Sequence, residues 1–380
     1  MTVRPIEVGH ETIGLRTGHR YREKSRPFFW PLAGDYPIYD RYLYTVMTAD
    51  DERAIAYHAA IENIAAGKTV VEIGTGDQAH WARACAKAGA KKVYAIEENL
   101  EALKKASALI EEEGLTNKIS LLHGTSTRLE LPERVNLSVS EIIGEIGSSE
   151  GVIAILNDVR QRFLKPEAKC VPQKCDTYCV PFELPDGMEN EPIVEKLGAS
   201  YVRKIFDLAD SPFDLRLTLD NCFEEIPRQM LAPPKIVESM DFTKICEESE
   251  IQTMSFDVEK EGRFNGLLLW IELYAGERVT PLSSLTRGSN WRPVFCPLFD
   301  PGLPLIAGSR IEVRWSRLTS SDGMHPDYHI ECTVKSLQNS WESKLRWPHL
   351  GGPESFRQNG LYSRLFPRVD AVCDEISLPR

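Results

Sequence analysis

Lys68-Thr69-Val70-Val71-Glu72-Ile73-Gly74-Thr75-Gly76 is the stretch on which the fold turns. A short β-branched run that ends in two glycines is the pattern of a buried strand breaking into a helix. The glycines let the backbone approach a ligand closely, and the helix start presents free amides to it. The spacing downstream predicts a helix over Ala79–Ala88 closed by Gly89, a second buried strand at Val93–Ile96, and a helix capped by Asn99 that runs to Gly114. Ile119–Leu122 and Val135–Val139 read as a third and fourth strand, and Gly151–Phe163 as a helix stopped by Lys165-Pro166. Upstream, Asp50–Ile64 reads as a helix. Strands separated by helices of this length predict a parallel, doubly wound α/β sheet.

From Cys170 onward the pattern changes to short alternating strands rich in proline. They are expected at Thr177–Pro181, Ile251–Phe256, Gly266–Ile271, Arg310–Trp315 and Tyr328–Val334. This half reads as an antiparallel β domain, interrupted by a helical insertion around Glu189–Leu208. A length of 380 residues leaves room for two or three domains.

Composition narrows the function classes. The net charge of -11 argues against sequence-blind nucleic-acid binding, which draws its affinity from Lys and Arg on phosphates. An acidic surface suits a cationic substrate, and equally it maintains solubility. The longest apolar stretch, Gly266–Ile271, is too short to span a bilayer, and Met1–Glu7 lacks the apolar core of a secretory signal, so an intracellular, cytoplasmic protein is expected. The nine cysteines are odd in number and scattered. Cys170, Cys175 and Cys179 do not make paired metal-ligand spacing, so reduced thiols are expected rather than disulfides or zinc.

Two acidic features carry chemistry. Glu97 ends the second strand, 21 residues after Gly76, where a carboxylate can accept hydrogen bonds from a ribose diol. The third glycine of the dinucleotide fingerprint is missing, with Gln78 near its place, which favours a nucleoside cofactor without a pyrophosphate over hydride transfer. Ser140-Glu141-Ile142-Ile143-Gly144-Glu145-Ile146-Gly147-Ser148-Ser149-Glu150 places one acid at the carboxyl end of the fourth strand and another nine residues later, at the end where open α/β sheets bind ligands. Glu145, between them, reads as a solvated loop acid, and His80 as an exposed helix-start residue.

These motifs resemble, in order and over roughly Tyr36–Val334, those of the protein arginine methyltransferases. Val71–Gly76 resembles the first cofactor motif of that family and Ala86–Glu97 its continuation. Ser140–Glu150 has the double-glutamate spacing, and Phe163–Pro166 with Val171-Pro172 resembles the passage from the cofactor domain to a β-barrel, often through a cis proline.

The resemblance implies a Rossmann-like S-adenosyl-L-methionine domain over 46–170, preceded by an N-terminal segment and cofactor lid over 1–45. A β-barrel substrate domain over 171–380 would follow, carrying a helical dimerisation arm at about 186–214. It further implies that Gly74 and Gly76 line the methionine part of the cofactor, that Glu97 takes the ribose hydroxyls, that Ser126 and Thr127 lie near the adenine, and that Arg53 pairs with the cofactor carboxylate. Glu141 and Glu150 would hold the substrate guanidinium, with Glu141 also facing the cofactor. Met47 would lie near the target nitrogen and Tyr44 would wall the site.

Family members that make the asymmetric product carry a Thr-His-Trp loop. Here Ser289-Asn290-Trp291 stands in its place, near the substrate. Asn290 cannot titrate near neutral pH, so it can hydrogen-bond but not relay a proton. A guanidinium is planar, cationic and forked, which is why two carboxylates suit it: they hold the idle nitrogens and draw positive charge toward them, leaving lone-pair density on the reacting one. The implied partners are an arginine-containing protein or peptide, or free arginine, and a second copy of the chain. A non-catalytic partner subunit, or a methyltransferase for another nucleophile, would keep only part of this pattern.

Overall fold

The computed structural model describes residues 2–8, 11–17, 26–33, 51–194, 198–199, 202, 214–336 and 339–367. Strands β1 (Thr2–Val8) and β2 (Glu11–Thr17) form an antiparallel hairpin, and β3 (Phe28–Ala33) follows. The chain then runs through α1 (Asp51–Ile64), β4 (Thr69–Ile73), α2 (His80–Lys87), β5 (Lys92–Glu97), α3 (Leu100–Glu112), β6 (Ile119–His123), β7 (Val135–Ser140), α4 (Val152–Arg162) and β8 (Leu164–Val171).

These five strands from β4 to β8 form one parallel sheet in the order β6-β5-β4-β7-β8. Thr69–Ile73 is buried at every position, which is why its residues, Glu72 apart, are β-branched and do not alternate with polar ones. The helix after it buries Trp81 and, beyond it, Ala82, Ala84, Cys85 and Ala86, small residues that let it lie close to the sheet. Asn99 caps α3 as the sequence suggests: its Oδ1 accepts from the amides of Glu101 at 2.9 Å and Ala102 at 3.1 Å. Strand order reverses between β4 and β7, so the crevice for ligands opens at their carboxyl ends, at Gly74 and Glu141.

The fifth strand was not foreseen. Phe163–Pro166, read as a helix stop and linker, instead starts β8, parallel to β7. Its register shifts between the Val135/Leu164 and Leu137/Lys169 pairs, and Pro166, which has no amide to donate, lies in that irregular stretch of a sheet edge. The peptide bond at Val171-Pro172 is cis.

Beyond it the strands pair antiparallel among the described residues, with one isolated parallel bridge between Phe29 and Val194. The strands are β9 (Lys174–Phe182), β10 (Leu215–Asp220), β11 (Lys235–Asp241), β12 (Glu250–Asp257), β13 (Gly262–Phe264), β14 (Gly266–Tyr274), β15 (Leu282–Ser283), β16 (Val294–Pro297), β17 (Leu303–Leu305), β18 (Arg310–Thr319), β19 (Pro326–Lys335) and β20 (Ser340–Trp347). One sheet runs β11-β9-β14-β16-β10-β3 with β15 paired to β14, and a second runs β12-β18-β19-β20. Both contribute to one apolar cluster that includes Phe182, Phe264, Phe295, Trp315 and Trp347. All five strands expected in this half are present, and β3 from the N-terminal part joins the larger sheet through β10. Most of the expected helical insertion, together with Tyr44 and Met47, lies outside the described residues. No helix among the described residues is long and apolar enough to cross a membrane.

Candidate active site

The turn after β4 is built around two left-handed glycines, Gly74 at φ 75° and Gly76 at φ 66°, a conformation that costs a residue with a Cβ roughly 1 kcal/mol or more. The amides of Gly74 and Thr75 both donate to the carbonyl of Ile96 at 3.1 Å, tying the turn to β5. Glu97 completes the tie. Its Oε2 accepts from the amide of Gly76 at 2.7 Å and its Oε1 from the amide of Asn99 at 2.8 Å. The carboxylate is therefore fixed between the glycine turn and the start of α3, and each oxygen keeps a lone pair for a further donor such as a ribose hydroxyl.

Beside it, the amide of Gly124 donates to the Glu97 carbonyl at 3.0 Å, which brings the short turn at Ser126–Arg128 to the same end of the sheet. Ser126 is buried and Thr127 exposed. The Arg162 guanidinium donates to the Ser126 carbonyl at 2.6 Å and locks that turn onto α4. Asp77, buried in the glycine turn, keeps one carboxylate oxygen, Oδ1, without a hydrogen-bond partner. A nucleoside carrying an amino-acid tail fits these groups. Glu97 offers acceptors for a diol, Asp77 an acceptor for an ammonium, and Gly74 has only Ile142 within contact distance of where a Cβ would be.

At the end of β7, Glu141 is held from two sides. Trp81 donates its indole N–H to Oε2 at 2.9 Å, and the Arg53 guanidinium forms an ion pair with Oε1. Both partners are buried, so little water competes for the carboxylate. Arg53 also lies over the Trp291 ring at 5.5 Å, and Trp291 donates its indole N–H to the carbonyl of Ile143 at 2.7 Å. Tyr57 stacks on Trp81 with centroids 4.6 Å apart and donates its hydroxyl to the Ser140 carbonyl at 3.2 Å; burial, then the Glu141 charge, push its phenol well up. Arg53, Glu141 and Trp291, three positions singled out in the sequence, thus meet, and Asn290 sits half-buried next to Trp291.

The loop between the two glutamates folds back on itself: a Cβ on Gly144 would overlap the Ser149 hydroxyl. It is then pinned to the antiparallel sheets. The Gly147 amide donates to Thr177 Oγ1 at 3.0 Å, and Ser148 Oγ lies 2.7 Å from both Glu238 Oε1 and the Tyr328 hydroxyl. Glu150 follows, half-buried, directly before α4.

Two expectations need correction. Glu145 is not a solvated acid. It is half-buried, and burial raises its carboxyl while the charges of Arg216 and Arg292 offset this only in part. His80 is not an exposed helix-start residue. It packs edge-on to Trp81 at 4.4 Å and His58 at 5.2 Å, and burial with the His58 and Arg83 charges lowers it to about 4, so it is neutral at pH 7.

Trp81 and Tyr57 were missed because nothing in a helix pattern distinguishes an indole that donates to a carboxylate from one that only packs. Glu72 was missed too. It is fully enclosed and pushed up to about 8 by burial, with Thr75 Oγ1 donating to it at 2.9 Å.

A parallel sheet in this order, with a glycine turn clamped to an acid on the neighbouring strand, defines a Rossmann-like site for a nucleoside cofactor. No family model matches the chain. Sequence relatives narrow the class. The probable protein arginine N-methyltransferase 6 of Arabidopsis thaliana is 25% identical over 260 residues, 64% of this chain and 57% of that protein. A probable histone-arginine methyltransferase of Oryza sativa subsp. indica is 29% identical over 70% of this chain and 53% of its own length. The arginine N(omega)-methyltransferase of Streptomyces achromogenes is 28% identical over 72% of this chain and 76% of its own.

The chain is a relative of the arginine N-methyltransferases, and it spans about half the length of the first curated relatives it matches. The fold agrees. The crystal structure of Arabidopsis thaliana protein arginine methyltransferase 10 superposes with a TM-score of 0.65 at 19% identity, over 81% of this chain and 98% of that one. A Trypanosoma brucei enzyme-prozyme complex with AdoHcy gives 0.64 at 19%, over 80% and 98%.

Proposed function

We propose that this chain transfers the methyl group of S-adenosyl-L-methionine to a guanidinium nitrogen of arginine in a protein or peptide. The observation that carries this reading is Glu141: a carboxylate at the switch point of the sheet, held by Trp81 and Arg53, at the same end of the sheet as the cofactor-type clamp of Glu97. When bound, the cofactor supplies an electrophilic sulfonium methyl. The protein's part is to hold and aim. Glu141 and Glu150 accept from the nitrogens that do not react, and Trp81 keeps Glu141 from rotating. Glu141 and Glu150 would keep one guanidinium nitrogen facing the methyl, and the proton which that nitrogen gives up would pass to a carboxylate of the pair or to water. Most of the rate comes from positioning and from carboxylates placed where positive charge must be stabilised.

The domain division at 46–170 and 171–380, closure of the antiparallel sheets as a barrel, an arm at about 186–214 that pairs two copies, and a cytoplasmic location belong to the same proposal. So do the roles given to Met47, Tyr44, Asn290 and Trp291 beside the substrate. Labelled-methyl transfer to an arginine-containing peptide, with mass analysis of the product, tests it; transfer to no arginine nitrogen would sink it.

A second reading, methylation of free arginine or another small guanidino metabolite, is favoured by one observation: the chain matches three-quarters of the Streptomyces enzyme but only about half of the plant ones. Competition between free arginine and an Arg-Gly-rich peptide decides between them. Should calorimetry detect no cofactor binding, a non-catalytic partner subunit becomes the better reading.

A further inference from the structure

Outside the residues used so far, the turn between β18 and β19 gathers Asp322, His325 and His349. Asp322 is the hub. Its Oδ1 accepts from the amides of Met324 at 2.8 Å and His325 at 2.9 Å and from Ser320 Oγ at 2.8 Å, and these bonds hold its carboxyl well below the usual range. Its Oδ2 lies 2.6 Å from His325 Nδ1 and 3.3 Å from His349 Nε2. The two imidazoles are stacked, centroids 4.0 Å apart and planes 7° from parallel. Ligand imidazoles bind metals in their ring plane, and no single ion can lie in both of two such planes at once. The group is therefore a hydrogen-bonded stack and not a cation site.

What the stack supports is the end of the carboxylate loop. Gly151, which follows Glu150, has φ 74°, and a Cβ built on it would lie 2.7 Å from Met324 Cγ, 3.4 Å from His325 Cδ2 and 3.5 Å from His325 Nε2. With Nδ1 engaged by Asp322, the edge of His325 that faces Gly151, the residue after Glu150, is Cδ2–Nε2. Two points of the loop are thus hydrogen-bonded to the antiparallel half, Gly147 to Thr177 and Ser148 to Glu238 and Tyr328, and a third, Gly151, faces the turn that carries His325 with no room for a side chain. Glu150 lies between the last two.

We propose that His325, aimed by Asp322 and backed by His349, is a positioning residue that sets Glu150 for the substrate guanidinium. It acts through Glu150 and does not touch substrate. The inference rests on the arginine-methylation reading for its activity readout alone.

The test uses the full chain with His325→Asn and His325→Gln. An asparagine amide reaches the place of Nδ1 and can keep the Asp322 bond, whereas a glutamine amide reaches the place of Nε2 and can fill the space facing Gly151. His325→Asn is expected to lower kcat about tenfold or more with cofactor affinity unchanged, and His325→Gln to recover to within about threefold. On a Glu150→Gln background, His325→Asn should cost no further activity, since the two act as one unit. Amide exchange at Gly151–Ile153 should quicken in His325→Asn and not in His325→Gln.

Wild-type activity in His325→Asn, the reverse order of the two variants, or losses that multiply on the Glu150→Gln background would each overturn the proposal. Zinc-dependent activity that His325→Asn abolishes would do so as well, by making the stack a metal site. If the wild type methylates no arginine, the exchange experiment still decides: unchanged protection in His325→Asn removes the positioning role, while quickened exchange leaves it standing and places the failure in the functional reading.

Discussion

Trp81→Phe isolates the hold on Glu141. Phenylalanine keeps a ring to stack on Tyr57, 4.6 Å away, and removes one donor, the indole N–H that reaches Glu141 Oε2 at 2.9 Å. A hydrogen bond to a charged group contributes about 1.5–3 kcal/mol, and with Trp81 only 7% exposed, water does not simply take the donor's place. Arg53 still pairs with Oε1, so the carboxylate stays charged but loses the indole that fixes Oε2. If the lost interaction serves mainly the reacting geometry, kcat falls by roughly 10- to 100-fold at about 1.4 kcal/mol per decade.

Single-turnover transfer of a labelled methyl to an arginine peptide reads this directly. Cofactor affinity by calorimetry and the melting temperature are measured in parallel. Cofactor affinity should hold within about threefold, because the glycine turn and Glu97 are untouched. A folded Trp81→Phe protein with kcat within about twofold of wild type would refute the assignment of Trp81 as the orienting donor. A loss confined to cofactor affinity would move Trp81 to the cofactor side of the site.

Three further outcomes follow from the geometry. Glu141→Gln leaves the buried Arg53 charge short of its partner, so it should lower transfer by about 100-fold or more and also lower the melting temperature; isotope transfer and calorimetric melting check both. Glu97→Gln keeps an acceptor but turns the other oxygen into a donor facing an amide, so cofactor affinity should weaken about tenfold while the fold survives, as titration calorimetry would report.

Glu72 gives a pH signature. Its carboxyl is raised from about 4.5 to about 8, so the folded state binds the proton more tightly than the unfolded chain. Its contribution is fully present below the unfolded value and is lost as pH rises through the folded one, by up to about 1.4 kcal/mol per unit. Glu72→Gln removes that loss, so the gap in melting temperature between variant and wild type should widen in the variant's favour from pH 6 to 9. A constant or narrowing gap would show that Glu72 is not held as the neutral acid.

What could be read in advance and what could not divide along sequence distance. The turn at Gly74–Gly76, the strand at Val93–Ile96 and the Asn99 cap are local: a β-branched run, a glycine and a side-chain acceptor each act within a few residues, and their physics is legible in order along the chain. Glu97 was legible for the same reason, since a strand end fixes where its side chain faces. β8 was hidden because Pro166 and the charges of Lys165, Glu167 and Lys169 read as linker, although at a sheet edge such residues are tolerated.

The fate of the loop acids was hidden more deeply. Glu145 and Glu150 differ by five positions in one glycine-containing segment. One feels the charges of Arg216 and Arg292, which arrive from β10 and the stretch before β16; the other precedes Gly151, which faces a turn some 170 residues downstream. Neither partner follows from periodicity, for the pairing of β10 with β3 and β16 and the turn into β19 is what delivers them. The sequence thus marks where charge is placed in this site, while long-range strand pairing decides what each of those charges faces. For that reason Trp81 and His325, unremarkable as letters, are where the reading of Glu141 and Glu150 as a guanidinium clamp is most exposed to experiment.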